Sequence, residues 1–203
     1  MNNKFIVSLL LISSVLFSYC DKTSENTSIV SKNFVSSYVD VHSLHITEKT
    51  SGQGYYNVKC SGNYYTKGDK EYNTYSEKYG DTDYNSIEYL MPVVSVVNDF
   101  QKINIYSDVD FPNIKAGNPL INIVEVSFFS PYKYIKTHYS SNPKLARINK
   151  MASEMTSDDY LMMYGEFVLH FTQAPTKEER FTIYIEMEAS DGSIIKGKGN
   201  VRW

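Results

Sequence analysis

The side chains best suited to chemistry are scattered along this 203-residue chain rather than gathered into motifs. His42 and His45 are three apart, and in a regular strand such residues point to opposite faces, so one metal ion would not bridge them. His138 and His170 stand alone in the sequence. Asp81-Thr82-Asp83-Tyr84-Asn85 sets oxygen ligands at alternate positions, as calcium loops do. The match to a helical-hand loop ends there, because its glycine position holds Ser86 and its bidentate position holds Pro92. Asp108 and Asp110 flank Val109 in similar fashion, and a solvated turn accounts for both sets. Glu186 and Glu188 have the spacing of a carboxylate pair, but two residues apart on a strand they read as a solvated sheet face. No G-x-S-x-G, no H-E-x-x-H and no phosphate-cradling glycine loop occurs. These patterns assign no catalytic residue, no metal ligand and no cofactor. A hydrolase assembled from residues distant in sequence is the enzymatic alternative.

Tyrosine is the unusual feature of the composition, with 18 residues against one tryptophan. Half of them fall in one run, from Tyr55 and Tyr56 to Tyr89. Within it Tyr64, Tyr65, Tyr72, Tyr75, Tyr79 and Tyr84 are the candidate ligand-binding residues. Tyrosines mixed with Asn, Asp and Gly offer stacking faces with adaptable hydrogen bonds, which suits a glycan or a protein partner. The competing reading is that the rings pack on a sheet as ordinary strand and loop residues. The formal charge of −3 and pI near 5.8, with no basic stripe, argue against nucleic acid.

The elements that must position these residues read as mainly β. Strand signals run over 34–41 and 44–46, 54–60, 89–97, 102–109, 121–129, 160–173, 181–189 and 195–203. Gly62-Asn63 is a turn signal, and residues 63–86 read as a long irregular excursion holding at most a hairpin. Residues 143–155 predict the one helix, with Asn142 as cap, Pro143 in the first turn, and Leu145, Ile148, Met151 or Ala152, and Met155 at helical spacing. At the end, Phe181, Ile183, Ile185, Met187 and Ala189 face inward, and Asp191-Gly192 marks a two-residue hairpin turn. Ile195, Gly197, Gly199, Val201 and Trp203 then share a face opposite Lys196, Lys198 and Arg202, which specifies the register. The expected fold is an antiparallel β-sandwich, Ig-like or related, with one short helix. An outer-membrane barrel is the rival, but 63–86 and 143–155 lack its alternating segments.

The start of the chain says where the domain works. Lys4 and the apolar run Phe5–Phe17 form a secretory signal over 1–19, too short for a membrane span of about 20 apolar residues. Leu16-Phe17-Ser18-Tyr19-Cys20 resembles a bacterial lipobox, departing from it at Tyr19, where a small residue is usual. Cys20 is therefore the expected lipidation site. Acyl chains on it tether the protein to a membrane at about 0.8 kcal/mol per buried methylene. Residues 20–31 read as a flexible tether and 32–203 as a single domain. Cys60 then has no intramolecular partner, unless the lipobox reading fails and Cys20 pairs with it.

The signal ending at Cys20, Asp108-Val109-Asp110-Phe111 with Ala116-Gly117-Asn118-Pro119-Leu120, Phe128-Phe129-Ser130-Pro131-Tyr132-Lys133-Tyr134-Ile135 and the closing Asp191-Gly192 turn together resemble uncharacterised lipoproteins of Bacteroides and its relatives. The resemblance implies a place in the cell envelope, as an outer-membrane lipoprotein facing either the periplasm or the surface. It carries no activity to any residue. The expected function is a lipid-anchored binding or accessory module for glycan or protein, with a structural subunit of an envelope assembly as the alternative.

Overall fold

The computed structural model describes residues 30–49, 54–87, 91–177 and 179–203. The expected signal peptide, Cys20 and most of the tether lie outside the described residues. In chain order the elements are β1 (Val30–Ser31), β2 (Ser37–Glu48), β3 (Tyr55–Thr66), α1 (Lys70–Tyr79), β4 (Ser86–Ile87), β5 (Val94–Val96) and β6 (Phe100–Ser107). They continue with β7 (Val124–Ser130), α2 (Tyr132–Lys136), β8 (Ala146–Met151), β9 (Glu166–Phe171), β10 (Arg180–Ala189) and β11 (Ile194–Arg202). Among the described residues no helix is long and apolar enough to cross a membrane.

The protein is mainly β. Its principal sheet follows one hydrogen-bonded path, β6-β10-β11-β2-β3-β9-β7-β8, with β5 added beside β2. The sheet curls around a core to which its strands turn alternate residues, as period-two side-chain alternation requires. Phe181, Ile183, Ile185, Met187 and Ala189 all point inward, as the alternation of β10 predicts. Tyr56, Phe171 and Phe181 meet edge to face with centroids 5.3 to 6.1 Å apart, which ties β3, β9 and β10 together across the interior.

A second, smaller core lies on the other side of β2. Tyr38 and Val39 are adjacent and both 0 % exposed, and they belong to different clusters. The first half of β2 is thus covered on both faces, by the main core and by α1 and α2. Its parallel partner there is β5 (Tyr38 opposite Ser95), while the second half pairs in parallel with β11 (His45 opposite Lys198). A bulge between Val41 and Ser43 marks the change of partner. Asn98 holds it: its side-chain oxygen accepts from the Val41 amide at 2.7 Å and its amide donates to Asp40 at 3.1 Å.

Several expectations are corrected. The helix predicted over 143–155 is a strand, β8, followed by a 3-10 turn at Ala152–Glu154. Six residues fit either period, and antiparallel pairing with β7 (Ile148 opposite Phe128) decides the conformation. The main helix lies inside the supposed irregular excursion, at α1. Its buried face is Tyr72, Ser76 and Tyr79 at helical spacing, which carries little aliphatic signal. Gly62-Asn63 is no turn but mid-strand in β3. A Cβ on Gly62 would lie 1.8 Å from the Asp40 carbonyl oxygen, so glycine is needed where the bulged backbone approaches. The strand expected over 160–173 is confined to β9. The closing turn is one residue longer than expected: the Ala189 amide bonds to the Ser193 carbonyl, with Gly192 at φ 82.

Candidate functional site

The six candidate tyrosines do not form one exposed row. Tyr72, Tyr79 and Tyr84 are buried, Tyr65 and Tyr75 are half-buried against the same small core, and Tyr64 alone is well exposed, at 48 %. Tyr38 packs on Tyr72 at 5.3 Å and on Tyr79 at 6.0 Å, while Phe34 contacts Tyr84 and Tyr134 at 5.2 and 4.9 Å. Their hydroxyls are spent inside the fold. Tyr72 donates to the Val35 carbonyl at 2.6 Å and Tyr79 to that of Val97 at 3.3 Å.

At the centre of this cluster lies Asp81, a carboxylate that the sequence places in a solvated turn and the structure buries. Gly80, at φ 75, ends α1 and turns Asp81 back beneath it, where the Asp81 amide reaches the Ser76 carbonyl. Asp81 is 0 % exposed. One carboxylate oxygen accepts from the Phe34 amide at 2.8 Å and the Tyr139 hydroxyl at 3.0 Å, the other from the Val35 amide at 2.9 Å. Those donors occupy the lone pairs that a calcium ion would need. Burial pushes its carboxyl above the usual carboxylate range, against the pull of the hydrogen bonds from Phe34, Val35, Tyr139 and Tyr38. Asp110 is likewise engaged, by Lys115 at 2.8 Å and the Ala116 amide at 2.9 Å.

The bulge in β2 also overturns the alternation argument for the histidines. His42 and His45 are both exposed, and His42 Nε2 lies 3.4 Å from Asp40 Oδ2. Among the described residues no three His, Cys, Asp or Glu side chains converge as a metal site.

The arrangement with the most chemical content lies elsewhere, on the outer face of the sheet where β3, β9, β7 and β8 run side by side. Register places Tyr55 opposite His170, His170 opposite Glu125 and Glu125 opposite Met151, one row across four strands. The next row is Asn57, Val168, Ser127 and Asn149. The rings of Tyr55 and His170 stack at 4.1 Å with 4° between their planes, and His170 Nδ1 lies 2.9 Å from Glu125 Oε2. With its hydrogen at Nδ1, the imidazole is held upright beside the tyrosine. Arg147 Nε donates to Ser127 Oγ at 3.2 Å. Together with Lys49, Asn149 and Val168 these residues line a groove of ≈ 300 Å³.

No family model matches this chain, and no curated protein and no solved structure is significantly similar to it. The site therefore rests on its own chemistry.

A rigid aromatic platform beside planar amide, guanidinium and carboxylate groups is the equipment of a binding surface. A proton-relay reading has less to work with. Ser127 bonds to Arg147, and no Ser–His hydrogen bond forms in the groove among the described residues. Sequence reasoning passed over this site because its members come from positions 49, 55, 125, 127, 147, 149 and 170. Only strand pairing brings them together, and no local spacing announces them.

Proposed function

We propose that this chain is a lipid-anchored protein of the bacterial cell envelope that binds glycan through the Tyr55–His170 groove, akin to the Bacteroides lipoproteins it resembles. The observation that carries the reading is the parallel Tyr55–His170 ring stack, set among groups able to hydrogen-bond vicinal hydroxyls. A sugar ring presents an apolar C–H face to such a platform and its hydroxyls to the polar rim. On this reading the curled sheet also serves as a sandwich. Its two ends pack across one core, where Tyr160 bridges Phe100 of β6 and Phe128 of β7 at 6.5 and 6.3 Å. The outer face is left for ligand.

Two experiments test it. Intact mass of the membrane-extracted protein beside a Cys20→Ala variant reads the anchor: acylated mass and release of the variant are expected, and an unmodified mass would overturn it. A glycan array with wild type and Tyr55→Ala reads the groove, and binding that survives the substitution unchanged would remove it.

A structural-subunit reading has one observation of its own. Among the described residues β8 pairs only with β7, which leaves its other edge without a strand partner there and available for strand addition by a neighbour.

A further inference from the structure

Resting on the glycan reading of the groove, we propose a ligand class: sugars bearing a carboxylate, the uronic acids, with Arg147 as the group that receives the acid. The charges facing the groove are unequal. Lys49 and Arg147 bring two cations, against the single carboxylate of Glu125. Glu125 is already committed to His170 at 2.9 Å, whereas Lys49 and Arg147 form no ion pair among the described residues. The surplus charge in the groove is positive.

Arg147 is also the better prepared of the two. Its strand position opposite Phe129 fixes the backbone, and its Nε is tied to Ser127 Oγ at 3.2 Å. That bond pins the guanidinium plane and leaves both terminal nitrogens without a hydrogen-bond partner among the described residues. Two parallel N–H donors match the two oxygens of a carboxylate, a pairing about twice as strong as neutral hydrogen bonds. Asn149, one row away, supplies donor and acceptor for the neighbouring hydroxyls. The division of labour is then clear: Tyr55 and His170 take the ring face, Arg147 reads the acid, and Lys49 adds field strength at the Tyr55 end.

The test is a calorimetric titration of the anchored domain with a panel of uronate oligosaccharides, each beside its carboxyl-reduced neutral counterpart. At least about tenfold tighter binding of one acidic form over its reduced partner is expected, shrinking as salt rises. Arg147→Gln should bring the acidic form down to the neutral level, and Lys49→Gln should weaken it less. Thermal melts of both variants show that they fold. Equal binding of acidic and reduced forms would overturn the acid selectivity while leaving a glycan site. Binding of neither series, or binding indifferent to Tyr55→Ala, would overturn both.

Discussion

The carboxylate of Asp81 accepts the backbone hydrogen bond of Phe34 at 2.8 Å, joining residues 47 apart in sequence within a space closed to solvent. Asp81 follows the C-terminus of α1, and Phe34 precedes β2. The bond therefore docks the helical layer onto the first half of the strand that both cores share. A buried charge is costly unless hydrogen-bonded, and here two amides and two tyrosine hydroxyls supply the compensation.

Asp81→Asn should lower stability by about 1–3 kcal/mol, because the new amide must turn an N–H toward either the Phe34 or the Val35 N–H. A pH effect distinguishes this cause from simple loss of packing. The folded-state pKa of Asp81 lies above its unfolded value, so the native state binds this proton more tightly. Its contribution is fully present below the ordinary carboxylate range and is lost as pH rises through the raised value. Urea midpoints measured from about pH 4 to neutrality should carry that downward component in wild type and lack it in Asp81→Asn. Identical slopes in the two proteins would exclude the assignment.

The bulge in β2 depends on two residues from other elements. Asn98→Ala strips the Val41 amide of its acceptor and should cost about 1–3 kcal/mol. Gly62→Ala cannot be accommodated without moving backbone, since the new Cβ meets the Asp40 carbonyl oxygen and carbon at 1.8 and 2.7 Å. It should destabilise by at least about 3 kcal/mol. Chemical denaturation of the two variants reads both values, and a Gly62→Ala protein as stable as wild type would show that the bulge is not fixed by this contact.

Legibility in the sequence followed the range of the interaction. The β10–β11 hairpin was readable because alternation and turn residues are local, down to the inward set from Phe181 to Ala189. What was missed depended on partners far away. Residues 146–151 carry a helical pattern and become a strand because β7 offers an unpaired edge. Residues 70–79 form a helix whose buried stripe is tyrosine, and the tyrosine-rich run left ligand binding and core packing both open because the same ring serves a core and a wet surface equally. The candidate groove was least legible of all. His170 looked isolated until strand pairing set it against Tyr55 and Glu125.

Cys60 is 0 % exposed, and burial, helped by the charge of Glu166, pushes its thiol up to about 12. The thiolate is the reactive species, so the native protein should resist iodoacetamide at mildly alkaline pH. In urea the number of alkylated cysteines becomes informative. The chain has two cysteines, so one labelled thiol in the denatured membrane-derived protein means that Cys20 is blocked, and two mean that it is not. Rapid labelling of Cys60 in the native state would contradict the burial itself.

Tyr55 and Tyr64 provide the sharpest comparison between the two tyrosine readings, because both lie on β3 and both are exposed, at 36 and 48 %. Among the described residues Tyr64 has only a long 3.4 Å hydrogen bond to the Cys60 carbonyl, whereas Tyr55 stacks on an imidazole that Glu125 holds in place. A ring already immobilised loses little further entropy when a ligand covers it, and truncating such an anchor removes more than about 1 kcal/mol of binding energy. Tyr55→Ala should therefore weaken glycan binding about tenfold or more, and Tyr64→Ala should leave it within error. Glu125→Gln should fall between them, since it loosens the histidine without removing the platform. Direct titration of the three variants with one oligosaccharide measures the order. If Tyr64→Ala proves the most damaging, the binding face is the one suggested by the tyrosine run, and the row from Tyr55 to Glu125 is only a well-packed part of the sheet.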